Sequence, residues 1–146
     1  MSAETNSWYV QLPQALGLPS YFEMPWRSNA TMDVGHSIWI CPSNIRRSNG
    51  TRLFHYSRNE LIDGTGAGEH RVKLGDLPKP SAIVHLFDSM KQPAIGAWTF
   101  VHTNLHNNGA QFLFLDGHAA RFKNTKYWNL KTNKPITNNL ALVWAP

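Results

Sequence analysis

Short apolar segments separated by turn residues dominate the pattern along the chain. Residues 51–57 alternate between two faces, and residues 82–87 form a continuous apolar run of buried-strand length. Further short segments with strand character lie at 36–40, 72–74, 97–102 and 140–144. The pattern therefore predicts a β-rich region over residues 36–144.

The N-terminal part has a different periodicity, typical of a short helix over residues 8–17. Ser7 is a suitable N-cap, and Trp8, Leu12 and Leu16 recur at helical spacing before Gly17 ends the segment. Pro13 must lie in the first turn or kink the helix, because it lacks an N–H group.

The clearest local signal is a β-hairpin in residues 110–123. Asp116-Gly117 separates two β-prone segments, and this dipeptide favours a two-residue type I′ turn. That turn would pair Leu115 with His118 and Leu113 with Ala120. Together with the helix and the strands, the hairpin predicts one α+β, mostly antiparallel-β domain over residues 1–146.

The charge and hydropathy of the sequence argue against a nucleic-acid-binding protein and against a membrane span. Charged residues make up 16% of the 146 residues, against about 25% in ordinary soluble domains. The net charge is +5, but the basic residues are scattered and form no stripe of the kind that binds nucleic acid. No apolar run approaches the ~18 residues of a membrane span. We therefore expect no nucleic-acid partner.

Cys41 is the only cysteine of the chain. An internal disulfide and a zinc site made of several cysteines are therefore excluded. Because Cys41 ends an apolar segment and precedes Pro42, we expect a buried structural thiol rather than a nucleophile.

Two sets of residues are candidate metal ligands. The first is a zinc-type set, which comprises His102, His106, Asp116 and His118. The second is an oxygen set suited to calcium, which comprises Asp88, Asn107 and Asn108. A structural hydrogen-bond network is the favoured interpretation, because buried polar groups need partners but not necessarily metals. No cofactor is predicted, with Ca²⁺ as the open alternative.

The chain carries no Gly-x-Ser-x-Gly motif and no phosphate-binding glycine loop, so no catalytic residue is assigned. Six tryptophans are compatible with a sugar-binding face, although packing in the core is the more common role of tryptophan. Two alternatives to a structural protein therefore stay open. One is an extracellular carbohydrate-binding module, and the other is a metal-dependent hydrolase that uses the zinc-type set.

The segment from His106 to His118 has a His-x9-Asp-Gly spacing, with Gly109 inside it. This segment resembles the C-terminal motif of pilin-like, type II secretion pseudopilin-like proteins. Further segments that resemble this family follow in the same order at 8–17, 39–43, 56–59 and 80–89. The resemblance covers residues 8–123.

This resemblance implies a pilin-like globular head that works as a filament or secretion-system subunit through contacts with other pilin or pseudopilin subunits. His106, Gly109, Asp116, Gly117 and His118 would form a structural corner, and the protein would not be an enzyme. The family's prepilin leader and long apolar helix have no counterpart in the sequence. We therefore expect that the chain is the trimmed head of a longer protein. A cysteine in the missing upstream part would then be a candidate disulfide partner of Cys41. The full-length precursor would be anchored in the inner membrane, with the head periplasmic or extracellular.

Overall fold

The computed structural model describes residues 7–27, 29, 37–44, 54–62, 73–91 and 94–145. Its α-helix, α1, spans Trp8–Ala15, as the sequence predicts. Gly17 has a φ of +66°, and its N–H donates to the Gln14 carbonyl while the Leu18 N–H donates to Pro13. This pair of bonds is the Schellman ending, which needs a left-handed residue and so favours glycine.

Seven short strands follow in the described ranges. They are β1 (Tyr56–Asn59), β2 (Val84–Asp88), β3 (Ile95–Gly96), β4 (Gly109–Phe114), β5 (Ala119–Lys123), β6 (Trp128–Asn129) and β7 (Lys134–Pro135). Short 3₁₀ turns lie at Tyr21–Glu23, Pro25–Arg27, Glu60–Ile62, Leu74–Asp76, Trp98–Phe100 and Asn124–Lys126.

Five of these strands form one sheet in the order β3-β1-β2-β4-β5, and β6 pairs with β7 separately. Neighbours in the large sheet are antiparallel, except that β3 runs parallel to β1. The predicted α+β, mostly β class is confirmed at this level. None of the described helices has the length and hydropathy needed to cross a bilayer.

Each face of the sheet is covered by its own apolar cluster. On one face, strand residues such as Phe87 and Phe112 pack with the C-terminal Leu142 and Trp144. On the other face, an aromatic cluster from the N-terminal half covers the sheet; it contains Trp8, Tyr21, Trp26, Trp39, Ile40 and Phe54. A sheet covered on both faces explains why the central strands are strongly apolar.

The hairpin of β4 and β5 exists, but its predicted register is wrong by one residue. Leu113 pairs with Ala119, and the Phe114 N–H donates to the His118 carbonyl. The loop is therefore three residues long. The Gly117 N–H donates to the Phe114 carbonyl, Gly117 has a φ of +91°, and Asp116 is outside the positive-φ residues. These features describe a type I turn closed by a glycine bulge, which Asp-Gly also suits.

Several predicted strands are not strands. Residues 37–40 form a turn whose Trp39 and Ile40 side chains enter the aromatic cluster, and Trp98–Phe100 is a 3₁₀ turn. In the 140–144 segment, Val143 makes one isolated bridge to Ile83. Burial of these apolar side chains does not require extended backbone, so tertiary packing overrode the local preference.

The remaining strand predictions are partly outside the described residues. Residues 51–53 and 72 are not described, and β1 begins only at Tyr56. Leu74 starts a 3₁₀ turn. The run at 82–87 is confirmed as β2, with Ile83 bridged just before it.

Candidate functional site

Three reactive side chains from distant parts of the chain meet on the α1 side of the sheet. The Cys41 Sγ lies 3.3 Å from the His106 Nε2, which lies 3.2 Å from the Asp88 Oδ2. The ligand atoms of all three residues lie within 4.8 Å of one another. We call this group the Cys-Asp-His cluster.

Asp88 is the innermost member and ends strand β2, where it pairs with Tyr56 of β1. Its side chain has no solvent exposure. The Gln111 N–H of β4 donates to the Asp88 Oδ2 at 2.6 Å. The Asp88 Oδ1 is buried and has no hydrogen-bond partner among the described residues. A buried carboxylate oxygen without a partner is costly, so it marks a site that needs explanation.

His106 is held by an unusual left-handed turn before β4. His106, Asn107 and Asn108 have φ values of 44°, 60° and 58°. Leu105 and Gly109 close the turn through reciprocal backbone hydrogen bonds of 3.2 and 2.6 Å. Non-glycine residues seldom adopt this conformation in succession, because Cβ approaches the following carbonyl oxygen.

Arg121 of β5 supports the same turn from outside. Its Nη1 donates to the His106 carbonyl at 3.1 Å and to the Asn107 carbonyl at 3.4 Å. The His106 side chain keeps 21% of its surface exposed. The cluster is therefore buried around Asp88 and reaches solvent at His106.

Cys41 is positioned by its backbone. The Cys41 N–H lies 3.1 Å from the Nδ1 of the buried His55, and the same Nδ1 lies 3.3 Å from the Cys41 carbonyl oxygen. Cys41 is 1% exposed, as predicted for a structural thiol. The Tyr56 hydroxyl hydrogen-bonds its side chain.

Burial favours the neutral forms of Cys41, Asp88 and the neighbouring Tyr56, because it raises the pKa of each. Burial raises the pKa of the Cys41 thiol, and the Asp88 carboxylate raises it further. Burial also raises the pKa of Asp88 itself, against the lowering effects of the Gln111 N–H and of His106. The pKa of Tyr56 is raised by burial and then by the two acidic neighbours. Three groups that can lose a proton, Cys41, Asp88 and Tyr56, therefore lie close together beside the partly exposed imidazole of the cluster.

The cluster is not arranged as a Cys-His-Asp proton relay. In such a relay one imidazole nitrogen faces the nucleophile and the other faces the carboxylate. Here the single Nε2 atom of His106 faces both Sγ and Oδ2. One nitrogen cannot accept the thiol proton while donating its own to Asp88. The three donor atoms lie instead within 4.8 Å of one another, a separation compatible with ligation of one metal ion.

An apolar groove lies on the same face of the sheet and shares Tyr56 and Gln111 with the surroundings of the cluster. Its volume is about 240 Å³. The apolar part of its lining comes from α1, the 37–40 turn and the sheet, and it includes Trp8, Leu12, Ile38, Leu86, Leu113 and Ala119.

The zinc-type set predicted from the sequence is not brought together. His106 belongs to the cluster, whereas the Asp116 Oδ1 accepts hydrogen bonds from the His118 N–H and Nδ1 at the far end of β4. The His102 Nδ1 accepts from the Asn104 N–H. Over the described ranges, the one group of three or more His, Cys, Asp or Glu with converging donor atoms is the Cys-Asp-His cluster.

The calcium-type set is divided between interior and surface. Asp88 is buried, whereas Asn107 and Asn108 are exposed in the left-handed turn. Their carbonyls accept hydrogen bonds from Arg121 and from the Asn124 N–H. The spacing along the chain therefore does not produce a shared cation shell.

The tryptophans do not form a sugar-binding face. Trp8, Trp26, Trp39, Trp128 and Trp144 are buried, and the half-buried Trp98 packs against the core. The carbohydrate-binding alternative therefore loses the feature on which it rested, and the packing role of these residues is confirmed.

The predicted structural corner is divided by strand β4. His106 and Gly109 lie at its start, and Asp116, Gly117 and His118 form the turn after its end. The nine residues between His106 and Asp116 therefore comprise strand β4 and the few residues that flank it. At ~3.3 Å per residue, the six residues of β4 separate the two halves of the motif by about 20 Å.

No pattern in the sequence connected Cys41 and Asp88 with His106. The available signals were weak: Asp88 ends an apolar run, and Cys41 ends an apolar segment. Their meeting depends on the pairing of β2 with β4 and on the path of the 37–44 segment.

Comparison with protein-family models, curated proteins and solved structures finds no match for the chain.

Proposed function

We propose that the protein is a structural assembly subunit, a pseudopilin-like head that acts through protein–protein contacts. The observation that carries this proposal is the apolar groove beside α1, together with the exposed apolar residues that continue it. The His-x9-Asp-Gly resemblance suggests the kind of assembly.

The groove supports a protein partner because its walls are almost wholly apolar. Trp8 and Leu12 of α1 face Leu86 and Leu113 of the sheet across it. Filling such a groove with apolar side chains removes both surfaces from water, at about 25 cal/mol per Å². A polar ligand would find few hydrogen-bonding groups there.

Exposed apolar side chains extend this surface along α1 and beyond. Leu12 and Leu16 are one helical turn apart on the same side of the helix, with 38% and 56% of their surfaces exposed. Leu18 and Phe22 are also exposed, at 44% and 41%. Exposed apolar patches are typical of interaction surfaces, and these residues follow the groove-lining Leu12 closely in the chain.

The partner we propose is a neighbouring pilin-like subunit, in the simplest case a second copy of this chain. The low charged fraction of the sequence favours such packing, because the cores of interfaces are depleted of charge. On the His-x9-Asp-Gly resemblance we further propose that the head lies on the outer side of the inner membrane, in the periplasm or at the cell surface.

Sedimentation equilibrium of the wild type and of Leu16→Lys tests the contact surface. We expect the wild type to self-associate and Leu16→Lys to raise the dissociation constant at least about tenfold, which corresponds to ~1.4 kcal/mol. Leu140→Lys is the matched control, since Leu140 is also an exposed leucine, at 80%, but belongs neither to the α1 segment nor to the lining of the groove. Equal effects of both substitutions, or a wild type that stays monomeric, would contradict the proposed surface.

The pseudopilin assignment has a separate test in the coding sequence upstream of residue 4. The assignment requires a prepilin leader followed by a long apolar helix. A reading frame that starts near residue 4, without the leader and the apolar helix, would overturn the filament role. The proposed contact surface would then still be tested by sedimentation equilibrium.

A further inference from the structure

We propose that the Cys-Asp-His cluster is a binding site for a zinc-like transition-metal ion, ligated by Cys41, Asp88 and His106. This site goes beyond the assembly role and differs from both ligand sets predicted from the sequence. Its ligands come from the 37–44 segment, the end of β2 and the left-handed turn before β4.

Two of the three separations between donor atoms fit a tetrahedral ion, and all three donor atoms lie within 4.8 Å of one another. For Zn–N and Zn–O bonds of about 2.0 Å and a Zn–S bond of about 2.3 Å, tetrahedral ligands lie about 3.3 Å apart for N and O and about 3.5 Å apart for N and S. The observed separations are 3.2 Å from the His106 Nε2 to the Asp88 Oδ2 and 3.3 Å from Nε2 to the Cys41 Sγ.

The Asp88 carboxylate supplies an independent argument. It is completely buried, yet its Oδ1 has no hydrogen-bond partner in the described part of the chain. A cation beside this carboxylate would compensate the negative charge that burial disfavours. The contacts of His106 and of the Gln111 N–H are both with the other oxygen, Oδ2, so the hydrogen bonds of the described residues do not account for Oδ1.

The surroundings resemble a second ligand shell. The Gln111 N–H donates a hydrogen bond to the Asp88 carboxylate. The Tyr56 hydroxyl hydrogen-bonds the Cys41 side chain. The Arg121 side chain donates to the His106 carbonyl. Such outer contacts orient ligands and commonly change metal affinity 10- to 100-fold when removed. The partly exposed His106 ring offers the entry path for the ion.

The donor chemistry identifies the class of metal. A set of one thiolate, one imidazole and one carboxylate suits Zn²⁺ or Co²⁺, whereas Ca²⁺ and Mg²⁺ prefer oxygen ligands alone. Three protein ligands leave a fourth tetrahedral position for water. Binding requires the Cys41 thiol to lose its proton, so uptake of the ion releases a proton and weakens as the pH falls.

The test is a titration of the intact chain, free of affinity tags and reduced, with Co²⁺ alone. Tetrahedral thiolate ligation gives visible d–d bands and an ultraviolet sulfur-to-cobalt charge-transfer band. We expect one Co²⁺ per chain with both features, and displacement of Co²⁺ by Zn²⁺. X-ray absorption of the zinc form should show one sulfur at ~2.3 Å.

Variants assign the ligands. Cys41→Ser should abolish the charge-transfer band, and His106→Gln should raise the dissociation constant at least about tenfold. Asp116→Asn and His118→Gln are matched controls from the exposed pair, and they should leave the constant within about twofold. Circular dichroism checks that each variant is folded.

Three results would overturn the proposal. One is the absence of stoichiometric uptake by the wild type, and the second is uptake without a charge-transfer band. The third is a loss of affinity in His118→Gln as large as that in His106→Gln. Should Cys41→Ser fail to fold, the wild-type cobalt spectrum and the zinc–sulfur distance decide the question.

Discussion

Gly109 is the first residue of β4 and pairs with Lys123 of β5. A Cβ atom at this position would overlap the carbonyl oxygen of Phe122, a backbone atom that cannot move without disturbing the strand pair. Gly109 also closes the left-handed turn that carries His106. Its lack of a side chain therefore permits the close approach of two strands beside the cluster.

We expect Gly109→Ala to lower the free energy of unfolding by about 1–3 kcal/mol, as overpacking does. Chemical denaturation measures this loss. Gly75→Ala is the matched control, because a Cβ there meets nothing within 4 Å and Gly75 has no positive φ. Its effect should stay within about 0.5 kcal/mol, as at ordinary surface positions. Equal losses would show that the overlap at Gly109 is relieved at little cost.

His85 predicts a pH dependence of stability. Burial, and then the charge of Arg58, lower the pKa of its imidazole below the usual value. As the pH falls below about 6.5, His85 takes up a proton more readily in the unfolded chain than in the folded chain. The free energy of unfolding therefore declines as the pH falls through this range.

The melting temperatures of the wild type and His85→Gln at pH 7.5 and pH 5 test this sign. The wild type should lose more stability between the two pH values than the variant, because the variant lacks the titrating ring. An equal loss in both proteins would contradict the role of His85.

At the scale of elements, α1 and the β4–β5 hairpin are the parts that local chemistry specifies. The helix ends at Gly17 because a left-handed residue completes its Schellman bonds. The hairpin forms at Asp116-Gly117, but two turn types suit that dipeptide. The prediction selected the two-residue turn, and the structure has the three-residue turn with a bulge.

The register decides which side chains face the core. With the observed pairing, Phe112 lies opposite Ala120, and Phe114 lies opposite His118, whose ring stacks on it at 4.4 Å. The predicted pairing would have placed Phe114 opposite Ala119. A shift of one residue in a hairpin therefore changes every cross-strand contact.

Gly117 should still be sensitive to substitution, since it has a φ of +91°. We expect Gly117→Val to lower the free energy of unfolding by about 1–3 kcal/mol, because a β-branched residue resists positive φ. Gly117→Asn should lose less, since asparagine tolerates this region better. Thermal unfolding of the two variants compares their stabilities. A Gly117→Asn variant that is less stable than Gly117→Val would contradict the prediction.

At the scale of the whole molecule, Asn59 joins the C-terminal segment to the sheet. Its Nδ2 donates to the Val84 carbonyl at 2.9 Å and to the Trp144 carbonyl at 2.7 Å, in a completely buried position. One amide thus links β1, β2 and a segment 85 residues away in the chain.

Asn59→Ala would leave two buried carbonyls without this donor. We expect a loss of about 2–4 kcal/mol in the free energy of unfolding, measured by denaturation. Asn139→Ala is the control, because its Nδ2 donates to the Lys126 carbonyl at the exposed surface and its removal should cost about 1 kcal/mol or less. Similar losses at the two sites would contradict a special role for Asn59.

The sequence by itself determined the α+β class, the helix, the central apolar strand, the hairpin position and the burial of Cys41. Each of these follows from neighbours in the chain or from the apolar character of a residue. The tertiary structure decided the hairpin register, the conversion of two predicted strands into turns, and the meeting of Cys41, Asp88 and His106. Cys41 and His106 are 65 residues apart, and their contact depends on strand pairing and on a left-handed turn that no local pattern encodes. Long-range packing decides such contacts, because local preferences are weaker than the burial of two apolar clusters on one sheet.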